Sequence, residues 1–236
     1  MDKIIDIDQN DQFTFKKDYI SVIGPRYFQP IADLIEKMLI SSDCNTEVSH
    51  RENGYAVSIV ILLVALLESF ISRLYFCRKE EINPGINVPD LIITLFPDYP
   101  DQVKLQEVFI VRNSMIHNHI WHIEVAQSSD ETEISTQTLQ TPKDFKRNVK
   151  ANFDILINRD TQKTIKLQLN ACPTSVNRND VLLVFEVVWN TLNFMNKKNF
   201  SHTPLAGGQI SFRNKREKFS DLIEVIRKSR DQTQPN

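Results

Sequence analysis

The feature that most constrains the fold is an uncharged run of thirteen residues, 55–67, that ends at Glu68. A helix that spans a membrane needs about 20 apolar residues, so a run of this length predicts a helix buried in a protein core. Helical periodicity continues beyond the run and extends the predicted helix to residues 55–79. One of its faces carries a largely apolar stripe made of Ile61, Val64, Ala65, Glu68, Ile71, Ser72 and Tyr75. Glu68 is the charged residue of that stripe.

A second predicted helix, residues 101–118, has a charge in the same kind of position. Its apolar face follows i, i+3, i+4 and i+7 spacing and consists of Leu105, Val108, Phe109, Arg112, Met115, Ile116 and His119. Arginine does not lose its charge in a protein, and burying it without a partner costs several kcal/mol. Two misplaced opposite charges are both satisfied when they pair. We therefore predict that the two helices pack against each other with Glu68 facing Arg112.

Three further helices are predicted from apolar periodicity and end signals, at residues 30–40, 179–198 and about 216–229. Residues 41–53 are polar and predict a loop, and residues 83–100 form a connection broken by prolines, with one helical turn in it. Helices therefore account for most of the predicted structure.

Short β-strands are predicted between the helix at residues 101–118 and the helix at residues 179–198. Alternating bulky residues indicate three of them, at residues 119–125, 153–158 and 164–169. Residues 159–163 have the composition of a hairpin tip, whereas residues 127–141 are rich in Ser, Thr, Gln and Glu and predict a mobile loop. The fold class is thus mainly α, with a small antiparallel β insertion at about 119–170.

The chain divides into three parts on this interpretation. Residues 1–29 are an N-terminal arm, residues 30–200 a helical domain with the β insertion, and residues 201–236 a basic C-terminal turn and helix that packs on the same domain. The last 42 residues, from Met195 onward, hold nine Lys and Arg against four Asp and Glu, a net charge of +5, although the whole chain carries only −2. That overall charge excludes a histone-like protein that coats nucleic acid, but it allows a local basic surface.

Cysteine content and the first residues indicate where the protein works. Cys44, Cys77 and Cys172 are far apart, odd in number and without C-x-x-C spacing, which favours a reducing compartment and no zinc site. The acidic first residues do not follow the design of a signal peptide. We therefore expect a cytoplasmic protein with no membrane association.

The strongest motif lies at the end of the second helix, where Arg112, Asn113 and His117 form the pattern R-N-x-x-x-H. Placed after a long helix with an embedded acid, this pattern resembles the HEPN (higher eukaryotes and prokaryotes nucleotide-binding) family over roughly residues 30–120 and 179–198. The resemblance implies a HEPN-like helical bundle that dimerises so that two motifs face each other. In many members it also implies a metal-independent endoribonuclease, without a cofactor, that acts as a toxin, an antiphage effector or an RNA-processing factor. Such a protein would have RNA as its substrate, and an antitoxin or a defence-system protein would be a further partner.

The resemblance also implies a role for each residue of the motif. His117 is the base or acid of RNA cleavage, Arg112 stabilises the charge on the phosphorane, Asn113 positions the imidazole or the phosphate, and Glu68 holds Arg112. On one straight helix Asn113 and His117 share a face, whereas Arg112 points about 140° away from His117. Convergence therefore requires the helix to end or bend at His117, or a second subunit to supply the missing group.

Four further residues are candidates for substrate binding. His119 is expected to line the same cleft, and the basic residues Lys215, Arg216 and Lys218 to form an electrostatic track for the RNA backbone. His119 and His122 are spaced i, i+3, but no acid or cysteine completes a ligand set, so we expect no metal.

Two other hypotheses remain open from the residues. The Glu68–Arg112 pair is equally explained as a structural ion pair, and His117 as a histidine favoured by the helix C-terminus; the protein would then be a catalytically silent HEPN-like dimerisation or interaction module. A binder of small nucleotides has less support, because Ala206-Gly207-Gly208 is not followed by the Lys-Ser/Thr of a P-loop.

Overall fold

The computed structural model describes residues 23–41, 48–77, 87–116, 121–127, 132–139, 153–198, 205 and 208–231. It is mainly helical, as predicted, and contains small antiparallel sheets of two strands each. The helices are α1 (Phe28–Ser41), α2 (Val48–Cys77), α3 (Val88–Leu95), α4 (Gln102–Ile116), α5 (Arg178–Lys198) and α6 (Leu222–Asp231). The strands are β1 (Trp121–Gln127), β2 (Thr132–Leu139), β3 (Ile157–Asn158), β4 (Lys163–Thr164), β5 (Gln209–Phe212) and β6 (Lys215–Lys218).

Helix α2 is the centre of the bundle and packs against α1, α3, α4 and α5. Its fully buried apolar side chains include Leu63, Leu67, Phe70 and Leu74, which follow one another at helical spacing. By length and composition alone, its segment Glu52–Cys77 would also suit a membrane span, and half of the most apolar stretch of that segment is buried inside the protein. The buried side chains explain its apolar character as that of the core helix we predicted.

An aromatic cluster joins the start of α1 to the turn before α6. Phe219, in a 3-10 turn before α6, stacks on Phe28 with ring centroids 4.3 Å apart and contacts Phe185 and Trp189 of α5. The hairpin β5–β6 lies beside it, with Ile210 and Phe212 buried. The C-terminal elements thus belong to the same hydrophobic core as α1, α2 and α5.

The first turn of α5 is held by a buried carboxylate. Asp180 accepts hydrogen bonds from the backbone N–H groups of Asn177 and Asn170, both at 2.9 Å, and from the Asn170 side chain at 2.8 Å. Asn177 in turn accepts from the N–H of Asn179 at 2.9 Å, so the start of the helix has the reciprocal bonds of a capping box. Burial raises the pKa of Asp180 above its usual range, against these hydrogen bonds, which lower it.

The predicted helices are present, but their boundaries and burial differ in detail. Helix α2 begins at Val48, inside the segment predicted as a loop, and the residues 88–95 form the complete helix α3 rather than a single turn. Helix α4 is buried almost all round, with Glu107 and Ser114 enclosed beside its apolar residues, so the prediction of one apolar face was wrong. Its charged Arg112 has a place at the border of the core rather than within it.

The β structure is arranged differently from the prediction. Residues 132–139, predicted as part of a mobile loop, form β2, which pairs antiparallel with β1. Residues 153–156 form a helical turn, and β3 and β4 are a separate minimal hairpin of two residues each. The predicted strand at 164–169 becomes a tight turn after Thr164 because Leu169 returns to hydrogen-bond with the backbone of that residue.

The beginning of the C-terminal helix was also predicted too early. Residues 209–218 form the hairpin β5–β6, and α6 begins at Leu222. Arg213 and Asn214 both have positive φ angles, 50° and 61°, which is the backbone of a tight two-residue hairpin turn. Lys215, Arg216 and Lys218 therefore belong to β6 and not to a helix.

Candidate active site

Glu68 and Arg112 form the ion pair that the two misplaced charges predict. The Arg112 Nη2 donates to Glu68 Oε1 between α2 and α4. The pair lies at the border of the core, because 17% of the arginine side chain and 30% of the glutamate side chain remain exposed. An arginine in this position is neutralised by its partner but not sealed from the solvent.

Only part of the hydrogen-bonding capacity of Arg112 is used by Glu68. Its guanidinium carbon lies 5.7 Å from the ring centroid of Phe109, one turn earlier on α4, which is a cation–π distance. The Nε atom is buried and has no acceptor among the described residues. The ion pair and the ring together hold the guanidinium plane in place.

A cleft of about 300 Å³ opens beside the ion pair. Its lining comes from α2, the start of α3, α4 and the insertion, and consists of Glu68, Asn87, Val88, Pro89, Gln106, Phe109, Ile110, Arg112, Asn113 and Phe153. Phe109, Ile110 and Phe153 make its floor apolar, with each side chain less than a tenth exposed. The volume lies at the lower end of the usual range for small-molecule sites, about 300–1,000 Å³.

The other side of α4 is fastened to the insertion by polar groups that sequence reasoning missed. The buried carboxylate of Glu107 accepts from the N–H groups of Lys166 at 2.7 Å and of Leu167 at 2.8 Å. One heptad later, the Ser114 hydroxyl donates to the carbonyl of Ala171 at 2.8 Å. The i, i+7 spacing of two polar residues in an apolar helix was the available signal. These bonds fix residues 163–171 on α4.

The structure brings part of the predicted site together. Glu68, Arg112 and Asn113 line one cleft, whereas His117 and His119 lie outside the described residues. The described part of α4 extends to Ile116, so the course of the chain at His117, on which convergence of the motif depends, lies outside the described residues. The exposed Lys215 and Arg216 line a separate surface depression on the β5–β6 hairpin.

No described residues supply a metal centre. Within the ranges that the structure describes, there is no group of three His, Cys, Asp or Glu side chains placed to hold a metal ion. The carboxylate of the cleft, Glu68, is already bound to Arg112.

A second Glu–Arg pair provides a comparison inside the same molecule. Glu52, near the start of α2, accepts from Arg178 Nε at 3.0 Å, from its Nη2 at 2.9 Å and from its backbone N–H at 3.3 Å. Both side chains are more enclosed than those of the first pair, with 11% of Arg178 and 15% of Glu52 exposed. This bidentate contact uses both carboxylate oxygens of Glu52 to join α2 to α5, as a structural ion pair does.

Comparisons with known proteins find no family model that matches this chain, no matching curated protein and no matching solved structure. The resemblance to the HEPN family therefore rests on the sequence motif.

Proposed function

We propose that this protein is a metal-independent endoribonuclease of HEPN type that acts as a homodimer. The observation that supports this best is the Glu68–Arg112 pair, which holds a charged guanidinium at the wall of a cleft that also receives Asn113. The Arg112 side chain remains partly exposed beside the cleft, and a phosphate is the group that such a planar fork binds well. The motif continues into His117 directly after the end of α4.

Cleavage in this proposal transfers the phosphoryl group from the 5′-oxygen of one nucleotide to the 2′-oxygen of the preceding nucleotide. A base removes the proton of the 2′-hydroxyl, the 2′-oxygen bonds to phosphorus, and the bond from phosphorus to the 5′-oxygen breaks. An acid gives that leaving oxygen a proton, so the products are a 2′,3′-cyclic phosphate and a 5′-hydroxyl. His117 serves as base or acid because imidazole titrates near neutral pH. Arg112 stabilises the negative charge on the phosphorane, Asn113 positions the reacting groups, and Glu68 acts through Arg112 as a positioning residue.

Two copies are required because one motif offers a single imidazole for two proton transfers. A homodimer in which two motifs face each other provides both a base and an acid across one cleft. The resemblance also suggests a role as a toxin or antiphage effector, with an antitoxin or defence protein as partner.

The experiment is incubation of the purified protein with total RNA and with tRNA in EDTA, wild type beside His117→Ala and Arg112→Ala. We expect cleavage by the wild type that leaves 2′,3′-cyclic phosphate ends, and its loss in both variants. Melting curves accompany each reaction, and His117→Ala is expected to melt with the wild type. Cleavage by His117→Ala at the wild-type rate would refute the assignment.

The second candidate is a catalytically silent dimerisation or interaction module. The Glu52–Arg178 pair favours it, because a second Glu–Arg pair in the same bundle joins two helices away from the cleft. Under this hypothesis neither RNA nor tRNA is cut, and Arg112→Ala acts only by lowering stability. Equal absence of cleavage in the wild type and in both variants would support the silent module.

A further inference from the structure

The cleft beside Arg112 has features that a phosphate contact alone does not explain. Gln106, Phe109, Ile110 and Asn113 are spaced i, i+3, i+4 and i+7, so one stripe of α4 lines its length. Two apolar side chains lie in the middle of this stripe and an amide at each end, separated by about 10 Å along the helix axis. A site of this kind takes a ligand with an apolar body and polar edges.

The two amides of the stripe are available to a ligand. Asn87, on the opposite wall, is committed to capping α3, since its Oδ1 accepts from the Asp90 N–H at 3.0 Å and its Nδ2 donates to the Asp90 carboxylate at 2.6 Å. The side chains of Gln106 and Asn113, by contrast, make no hydrogen bond within the part of the chain that the structure describes. Each therefore offers both a donor and an acceptor.

The charge of the lining distinguishes between possible occupants. Among the described residues that line the cleft, Glu68 and Arg112 are charged and cancel each other. A phosphate inside the cleft would meet the glutamate as well as the arginine, whereas a neutral heterocycle meets apolar walls and free amides. A nucleotide would therefore place its phosphate at Arg112 and its neutral base inside the cleft.

Phe153, in the insertion, makes one wall of this cleft, and the segment that follows it is hydrogen-bonded to α4. Phe153 packs with Ile110 and with Ala171 in a small second core. Glu107 and Ser114 fix the following segment of the insertion to α4 by hydrogen bonds of 2.7–2.8 Å. A wall fixed in this way is preformed for a flat ligand and does not need to be ordered on binding.

We propose that this cleft is a nucleobase subsite, in which one base of the RNA enters between α4 and Phe153, Gln106 hydrogen-bonds to the edge of the base, and Arg112 takes the attached phosphate. That the ligand is RNA rests on the proposed function; the neutral amphipathic cleft is a separate observation. Gln106 is then a specificity residue, and the insertion selects the position at which the RNA is cut.

The test is direct binding of the four nucleoside 3′-monophosphates, measured by calorimetric titration in EDTA. These ligands have no phosphodiester bond, so they cannot be cleaved during the titration. We expect one base to bind at least tenfold more tightly than the weakest. Loss of one neutral hydrogen bond lowers affinity by about three- to tenfold. Gln106→Ala should therefore lower the affinity for the preferred nucleotide by that factor and reduce the difference in affinity among the four nucleotides. Gln106→Leu, which keeps the volume of the side chain, should do the same.

Gln102→Ala is the matched control. Gln102 is on the same helix, one turn earlier, and its side chain donates to the Pro97 carbonyl at 3.2 Å outside the cleft. Its loss should leave nucleotide binding unchanged. If Gln106→Ala binds all four nucleotides as the wild type does, or if none binds to the wild type, the nucleobase subsite is wrong.

The binding experiment and the cleavage experiment can refute the nucleobase subsite and the ribonuclease activity independently of each other. Base-selective binding by a protein that cuts no RNA would support the subsite and refute the ribonuclease. RNA cleavage with no preference at the cut position, unchanged by Gln106→Ala, would support the ribonuclease and refute the subsite.

Discussion

The two Glu–Arg pairs of α2 allow the positioning role of Glu68 to be separated from its contribution to stability. Glu68 and Glu52 are on the same helix, and each binds an arginine of another helix. Replacing either with glutamine preserves its shape, removes the negative charge and leaves a guanidinium without its counter-ion. The same substitution in two places thus changes the same interaction, once beside the cleft and once far along the helix from it.

The expected losses of stability differ because the two pairs are enclosed to different degrees. Removing one partner of a fully buried pair costs about 3–5 kcal/mol. Glu52 approaches that limit with 15% of its side chain exposed and both oxygens bound, so Glu52→Gln should cost about 3 kcal/mol. Glu68 is 30% exposed and accepts through one oxygen, which places Glu68→Gln between exposed and buried pairs, at about 1–2 kcal/mol.

Catalysis is expected to follow the opposite order. Glu68→Gln frees the guanidinium that, in the proposed mechanism, stabilises the phosphorane, and misplacing a catalytic group by about 1 Å lowers rates by up to about a hundredfold. Glu52→Gln leaves the cleft intact. Urea unfolding gives the free energies, and RNA cleavage is measured at a temperature where both variants are folded. We expect the less destabilised variant, Glu68→Gln, to be the one that loses activity.

Two results would refute this reasoning. Full activity of folded Glu68→Gln would show that Arg112 needs no positioning by the glutamate. Equal losses of activity in both variants would show that the rate follows stability, as in a structural role for both pairs.

Three further predictions concern stability. Glu107→Gln removes one of the two acceptors that hold the turn after β4 and should cost about 2 kcal/mol in urea unfolding; an unchanged midpoint would contradict this. Because burial raises the folded-state pKa of Asp180, its contribution to stability is complete below the usual aspartate pKa and is lost as the pH rises through the raised value. The unfolding free energy of the wild type minus that of Asp180→Asn should therefore fall as the pH rises above the usual aspartate pKa, and a difference that rises would have the wrong sign. A methyl group at Gly24 would overlap the buried ring of Phe70, whereas one at Gly54 meets nothing within 4 Å. Gly24→Ala should therefore lower the free energy of unfolding by about 1–3 kcal/mol, and the melting temperature with it. Gly54→Ala, inside helix α2, should raise the free energy of unfolding by about 0.5–1 kcal/mol.

The sequence predicted those features that are written in local periodicity or in a conflict between charge and burial. Helices α2 and α5 carry regular apolar spacing, and both were located within a few residues except at the start of α2. Glu68 and Arg112 were paired because each was unsatisfied in its own helix. That argument needs no knowledge of the three-dimensional structure.

Features with partners that leave no trace in the sequence were missed. Glu107 binds backbone N–H groups 59 and 60 residues away, and every residue type has such a group. The strands of the β5–β6 hairpin are four residues long, too short for alternation to outweigh the charges that suggested a helix. Its position depends on Gln29, whose side-chain amide bonds to both the N–H and the carbonyl of Ser211 at 2.8 Å.

Helix α4 shows what the cleft adds to the ion pair in support of the proposed function. Its buried polar residues Glu107 and Ser114 are each accounted for by a bond to the insertion. Arg112 is accounted for in part, by Glu68. Gln106 and Asn113 have no such partner among the described residues, although both face an apolar cleft in which a purely structural helix would gain more from leucine. Both side chains are half-buried at the cleft, and the proposed nucleobase subsite gives them a partner that the described residues do not supply.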